Sequence, residues 1–91
     1  MQSTPPDHSL IEYPSLFPIK VMGANVEGYA DAVLEIARRF DPLIDDSRIE
    51  TRLSSGKNYL AITVTVTATS REQLDELYRA LSSHPMVKVV L

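Results

Sequence analysis

The chain has 91 residues, a formal net charge of −3 and no cysteine. This length predicts one domain with a single core, because a chain this size buries roughly 60–65% of its unfolded surface. The lack of cysteine excludes disulfides, thiolate metal sites and cysteine nucleophiles, and it fits a reducing compartment. The negative charge gives no general attraction to nucleic acid or to an anionic membrane. We therefore expect a cytoplasmic protein.

The first nine residues predict a disordered leader. They are polar, contain Pro5 and Pro6, and show no periodicity. They also lack the basic and apolar regions of a signal peptide. No apolar run in the chain approaches the about 18 residues that a membrane-spanning helix needs. We assign residues 10–91 to a single folded domain.

The first strand and the first helix follow one another after this leader. Residues 16–23 alternate as a strand does, and residues 26–40 carry apolar side chains at helical spacing. Asn25 is placed to cap the start of the helix, and the Asp41-Pro42 pair is placed to end it.

The middle of the chain predicts a β-hairpin. Residues 48–54 predict the second strand and residues 59–68 the third, joined by a loop in which Gly56 and Asn58 tolerate positive φ. The third strand alternates strictly, and its inward side chains are expected to be Leu60, Ile62, Val64, Val66 and Ala68.

The C-terminal part predicts a helix and a last strand. Residues 70–83 form the helix, and Ser70 with Gln73 three positions later is typical of a capping box. Residues 86–91 form the strand. Its side chains are expected to alternate, with Val87, Val89 and Leu91 inward and Met86, Lys88 and Val90 outward.

This order of elements predicts an α+β protein of the ferredoxin-like βαββαβ type. Right-handed crossovers give a two-layer sandwich, in which a four-stranded antiparallel sheet of order 4-1-3-2 carries two helices on one face. The other sheet face is then open. Its expected side chains are Lys20, Met22, Arg48, Glu50, Arg52, Thr63, Thr65, Thr67, Lys88 and Val90.

The sequence is compatible with three interpretations of this open face: a solvated surface, a binding surface for an anionic partner, and a polar dimer surface. If the face binds, its candidate contact residues are Lys20, Arg52, Thr65 and Lys88. A homodimer is compatible with the two edge strands, whose unpaired backbone groups can pair with another chain.

Other activities on this fold need residues that the chain lacks. RNA-binding sheets stack bases on outward aromatic residues of the central strands, where this chain has mainly lysine, methionine and threonine. Metal chaperones of this topology need a cysteine pair, and no cysteine is present. We find no catalytic residue, no metal site and no cofactor motif in the sequence. A small enzyme that holds an anionic substrate with basic residues of the open face is the alternative.

The turn after the first strand is a second candidate site. Gly23 lets a small ligand approach the backbone, and the start of the following helix favours an anion. A ligand there would contact Gly23, Ala24 and Asn25. The alternative is a plain turn with a helix cap.

Several segments of the sequence resemble the YbeD-like family of small bacterial proteins. The resemblance covers residues 10–91. Its segments are Glu12-Tyr13-Pro14, Phe17-Pro18-Ile19-Lys20-Val21-Met22-Gly23, Ser55-Gly56-Lys57-Asn58-Tyr59, Leu77-Tyr78 and Val87-Lys88-Val89-Val90-Leu91.

The resemblance implies a ferredoxin-like fold similar to ACT regulatory domains, with no established activity. It also implies a proposed link to lipoate metabolism and an ACT-like regulatory role. ACT domains pair through their sheets and bind amino acids near the turn that corresponds to Gly23, Ala24 and Asn25. We therefore expect a non-catalytic binding or regulatory module, whose ligand is an unknown small molecule or a partner protein.

Overall fold

The computed structural model describes residues 12–91, so the predicted leader lies outside the described residues. A short 3-10 helix, Asp46–Arg48, precedes the second strand. The main elements follow the predicted order: β1 (Ser15–Ala24), α1 (Tyr29–Phe40), β2 (Ile49–Leu53), β3 (Tyr59–Ala68), α2 (Arg71–Ser82) and β4 (Val87–Val90).

The strands form one antiparallel sheet in the order β2-β3-β1-β4, as predicted. The two central strands pair along their whole length, from Ser15 opposite Ala68 to Ala24 opposite Tyr59. The strict alternation predicted for β3 is confirmed, because its even-numbered residues from Ile62 to Ala68 are buried.

Both helices lie on one face of this sheet and close the core against it. Their apolar stripes are buried together with the inward side chains of β1 and β3. The buried helical residues are Tyr29, Val33, Ile36 and Ala37 of α1 and Leu74, Leu77 and Leu81 of α2.

The start of α1 differs from the prediction. The helix begins at Tyr29, and Gly28 occupies the N-cap position with φ of 90° and no side-chain cap. Glycine reaches this left-handed conformation without the steric cost of a Cβ. Asn25 therefore lies outside the helix and does not cap it, and Val26 is 53% exposed. The expectation that Asn25 caps α1 is wrong.

The cap of α2 is as predicted, with one change. The Gln73 backbone N–H donates to Ser70 Oγ at 3.0 Å, but Gln73 Oε1 accepts from the Thr69 backbone N–H at 2.8 Å. In the usual capping box that side chain accepts from the N-cap residue itself. The reciprocal bond is thus displaced by one residue.

β4 contains an irregularity that changes which side chains face outward. Val90 pairs with Val21 and Val89 pairs with Met22, but Val87 pairs with Gly23. Lys88 is the extra residue of this bulge, and a bulge reverses the alternation beyond it. The prediction for the end of β4 is wrong, because Val90 faces the core and Val89 lies on the open face.

Asp41 is a buried carboxylate at the end of α1, with an exposed fraction of 5%. Its Oδ2 accepts from the Thr67 amide N–H at 2.8 Å and from Nη1 of Arg48 at 3.2 Å, while Oδ1 accepts from the Leu43 N–H at 3.2 Å. Arg48 lies in the 3-10 helix and not in β2. It binds Asp41 and Thr67 Oγ1, so it is not a free cation of the open face.

These contacts lower the pKa of Asp41 from its ordinary value of 3.8. Burial acts in the opposite direction and is the largest single influence. The hydrogen bonds from Thr67 and Leu43 and the charge of Arg48 together outweigh it. The ionised carboxylate therefore links α1, β3 and the 3-10 helix.

We expect the substitution Asp41→Asn to lower the free energy of unfolding by about 2–3 kcal/mol near neutral pH, since an amide N–H2 would face buried donors. A lowered folded pKa stabilises the folded state above the unfolded pKa, and this contribution is lost as pH falls through the folded pKa. The difference in free energy of unfolding between Asp41→Asn and the wild type should therefore shrink as the pH falls below 3.8. Urea unfolding between about pH 6 and about pH 2.5 measures it.

Asp46→Asn is the matched control, because Asp46 is an exposed carboxylate in the neighbouring 3-10 helix. Its free energy of unfolding should stay within about 0.5 kcal/mol of the wild type. An Asp41→Asn difference that keeps its full size at the lowest pH would contradict the ionised role of Asp41.

Candidate functional site

The open sheet face is the side of the sheet opposite the two helices. Its members follow from the pairing register, because directly opposed residues on neighbouring strands share a face. On β1 and β4 they are Leu16, Pro18, Lys20, Met22, Ala24, Val89 and Leu91, and on β2 and β3 they are Glu50, Arg52, Tyr59, Ala61, Thr63, Thr65 and Thr67.

The half of this face formed by β1 and β4 is apolar. We call the side chains of Leu16, Pro18, Met22, Val89 and Leu91 the apolar strip. Leu16 is 61% exposed, Val89 44% and Leu91 64%. Leu91 lies beside Lys20, because the backbone N–H of each residue donates to the carbonyl oxygen of the other at 2.8 and 3.2 Å.

Two cations adjoin the apolar strip: Lys20 lies on β1 between Pro18 and Met22, and Arg52 lies on β2. Lys20 and Arg52 line two adjoining depressions of about 350 and 280 Å³. Within residues 12–91 neither side chain forms an ion pair. The other lining residues are Glu50, Thr51, Ala61 and Thr63 in the first depression and Met22, Leu53, Ser54, Tyr59 and Ala61 in the second.

The predicted contact residues are only partly brought together. Lys20, Arg52 and Thr65 share the open face, where Thr65 lies opposite Pro18. Lys88 is exposed at the bulge of the edge strand β4 and lines neither depression. The apolar strip is the part that the sequence reasoning missed, because the bulge has no clear signature in the sequence.

The turn after β1 has its inner side filled by the protein itself. Gly23 is buried, and a Cβ placed on it would overlap the carbonyl oxygen of Met86 and come within 2.5 Å of Cε1 of Tyr29. This glycine therefore allows α1 and the chain before β4 to approach β1. Ala24 is half-buried and lies opposite Tyr59.

Asn25 connects this turn to the β2–β3 hairpin loop. Its backbone N–H donates to the Asn58 carbonyl at 2.9 Å, and its Nδ2 donates to the Lys57 carbonyl at 3.0 Å. The turn that follows residues 17–23 of the YbeD-like resemblance thus contacts its residues 55–59 at one end of the sheet. The loop itself departs from the prediction, because positive φ falls on Lys57, at 62°, and not on Gly56 or Asn58.

The other surfaces of the described chain have fewer features of a binding or catalytic site. A depression of about 560 Å³ is lined by α1 alone, with Asp31, Leu34, Glu35, Arg38 and Arg39 around it. His84 uses its Nδ1 to accept from the Met86 N–H at 3.1 Å. Among residues 12–91, no cluster of three histidine or acidic residues could hold a metal ion. In the same range no helix has the length and hydropathy to cross a membrane.

Residues 12–91 thus form a ferredoxin-like α+β domain with one open sheet face. The chain belongs to the family described as "Protein of unknown function (DUF493)", whose model matches residues 8–91. This confirms the resemblance to the YbeD-like family.

The relatives are bacterial proteins of similar length. The chain is 63% identical over 91 residues to a UPF0250 protein of Leptothrix cholodnii, with 100% of both chains covered. It is 61% identical over 89 residues to the UPF0250 protein RSc0326 of Ralstonia nicotianae, covering 98% of this chain and 92% of that one. A UPF0250 protein of Janthinobacterium is 58% identical over 91 residues, again with 100% of both chains covered.

A solved structure has the same fold. The solution structure of protein HP0495 from H. pylori superposes with a TM-score of 0.75 at 16% identity, covering 100% of this chain and 98% of that one. At this identity the likeness supports the ferredoxin-like fold alone.

We expect Gly23→Ala to destabilise the domain by about 2 kcal/mol or more, because the added methyl group overlaps backbone and a buried ring. Gly56→Ala is the matched control, since its Cβ would meet only Asn58 Nδ2, at 3.5 Å. Its stability should change by less than about 1 kcal/mol. Thermal unfolding of both variants measures this, and equal stabilities would contradict the packing role of Gly23.

We expect Tyr29→Phe to leave the stability unchanged or to raise it by up to about 1 kcal/mol. Burial raises the pKa of Tyr29 to about 12, and its hydroxyl has no hydrogen-bond partner among the described residues. Removing the oxygen therefore removes a desolvation cost without breaking a bond. Denaturant unfolding measures the change, and a loss above about 1 kcal/mol would reveal a partner for this hydroxyl.

Proposed function

We propose that this protein is a non-catalytic binding module of the regulatory, ACT-like kind, and that its open sheet face is the contact surface. One observation carries the proposal. Lys20 and Arg52 lie without ion-pair partners, within residues 12–91, beside an exposed strip of apolar side chains.

An exposed apolar strip next to unpaired cations favours binding on physical grounds. Contiguous apolar surface bordered by polar residues is typical of interaction sites. A ligand that covers the strip also removes water from Lys20 and Arg52, and their attraction to an anionic group grows as the local dielectric constant falls. The preferred ligand therefore combines an apolar part with a negative charge.

The shifted pKa values in the described chain support a non-catalytic role. Burial raises the pKa of Tyr29 and of Tyr78, while local hydrogen bonds lower that of Asp45 and, against burial, that of Asp41. These are structural causes, and none of the four residues lines the two depressions. Catalytic acids and bases usually show such shifts inside the site itself.

The chemical structure of lipoate connects the proposed link to lipoate metabolism with this contact surface. Lipoate combines a carboxylate with an apolar chain, so it has both features that the open face would recognise. Amino acids and nucleotides lack the extended apolar part. The three classes are therefore informative in one binding screen.

The test is a thermal-shift screen of lipoate, amino acids and nucleotides, with light scattering on the same samples. Ligand at about ten times its Kd stabilises the folded state by about 1.4 kcal/mol, which raises the Tm of a domain this size by about 6–10 °C. We expect the shift in the wild type to be lost in the double variant Lys20→Gln, Arg52→Gln.

Arg79→Gln is the matched control, because Arg79 is an exposed cation on α2, away from the open face. It should keep the full shift. A ligand whose shift survives in the double variant but is lost in Asn25→Ala would place the site at the turn after β1 and would contradict the proposed contact surface.

A further inference from the structure

The open sheet face is amphipathic across its width. At the level of Met22 the outward residues run Arg52, Ala61, Met22 and Val89 from one edge of the sheet to the other. Two residues earlier on β1, at the level of Lys20, the outward residues run Glu50, Thr63, Lys20 and Leu91. Glu50 and Arg52 thus lie on β2, while the apolar residues lie along β1 and β4 with Lys20 among them on β1.

The apolar strip extends beyond both depressions, because Leu16 and Pro18 line neither of them. Leu16 and Met22 are six residues apart on β1, so their Cα atoms are about 20 Å apart at the usual rise of a strand. A small metabolite would cover one end of such a strip. A peptide helix of about 14 residues has the matching length. The dimensions therefore favour a peptide segment over a small molecule.

The net charge of the open face indicates the charge that a bound segment would carry. Its outward side chains include two cations, Lys20 and Arg52, and one carboxylate, Glu50, which gives 2 − 1 = +1 on a chain whose net charge is −3. Acidic residues of a partner would be attracted to the cations of this face and repelled by the net negative charge of the rest of the chain. Complementary charge of this kind fixes the orientation and the on-rate of binding.

A second copy of the same chain fits this face less well. A two-fold interface brings identical patches together. Lys20 lies on β1 between Leu91 and Thr63, so a two-fold axis that passes near it would bury it close to its own symmetry mate. Glu50 is the one carboxylate on the face that could compensate.

We propose that the open sheet face docks an acidic amphipathic segment of a partner protein. The apolar side of the segment covers the apolar strip along β1 and β4. Its acidic side faces Lys20 and Arg52. This inference rests on the proposed function and adds the class of ligand.

The test starts from peptides of about 16 residues selected from a random displayed library on the immobilised full-length chain. We expect the selected peptides to combine apolar residues at helical spacing with at least two acidic residues. The affinity of one synthetic selected peptide is then measured by fluorescence anisotropy. It should fall about tenfold or more in Lys20→Gln, Arg52→Gln and in Val89→Glu, and it should weaken with salt. Arg79→Gln should keep it within about twofold.

A charge exchange separates specific contact from loss of fold. The selected peptide with its acidic residues replaced by lysine should bind the wild type weakly and should regain affinity for Arg52→Glu. Amide chemical-shift changes on titrating the parent peptide should concentrate on the sheet, including Arg52 of β2, and spare the outer sides of α1 and α2. Thermal unfolding of each variant confirms that the domain remains folded.

Three results would overturn the inference. The first is a selection that yields no binder, or only binders without acidic residues. The second is a peptide whose affinity is unchanged in the double variant. The third is a concentration-dependent dimer that Val89→Glu dissociates, which would assign the face to a second copy. A small anion that binds in the thermal-shift screen and is lost in the double variant would leave the proposed function standing, while failure of both screens would remove both.

Discussion

The pairing of β1 with β3 is the constraint on which the rest of the structure depends. It places Ile19 opposite Val64 in the core and Lys20 opposite Thr63 on the open face. A slip of one residue would move every apolar side chain of these strands to the other face, so burial under the two helices specifies this register strongly. β2 and β4 then add to the two free sides of the central pair, and their side chains take the faces that this pairing sets.

The parts of the fold that follow from side-chain periodicity could be predicted from the sequence. β3 alternates without exception, and α2 carries a regular leucine stripe with a serine cap, so burial and local preference agree there. The turns could not be predicted in the same way. Asn25 and Gly28 are both acceptable N-cap residues, and Lys57 takes a positive φ although Gly56 and Asn58 adjoin it. In the folded chain Asn25 instead bonds the loop that contains Lys57, a contact between residues far apart in sequence.

The cations and threonines of the candidate site could be predicted from the sequence, but the apolar strip could not, because it depends on the irregular pairing of β4. After Lys88 the last strand reads Val-Val-Leu, so either alternation of these three residues puts an apolar side chain on the core. The bulge at Lys88 decides between them. Gly23 lies directly under the Met86 carbonyl and the Tyr29 ring, and the register of β4 shifts at this point. Gly23, a candidate ligand contact in the sequence, therefore lies at the irregularity that sets which side chains of β4 reach the open face.

This shift changes the physical character of the open face. With Val90 outward and Val89 inward, the face would carry threonines and cations around isolated apolar residues, and water would solvate the cations well. The bulge instead places Val89 beside Met22, and Leu91 pairs with Lys20. A cation such as Lys20 that lies among apolar side chains is stabilised by any partner that brings both an anion and an apolar covering, because the ion pair then forms in a region of lower dielectric constant. The bulge at Lys88 is thereby the difference between a solvated sheet face and a face suited to binding.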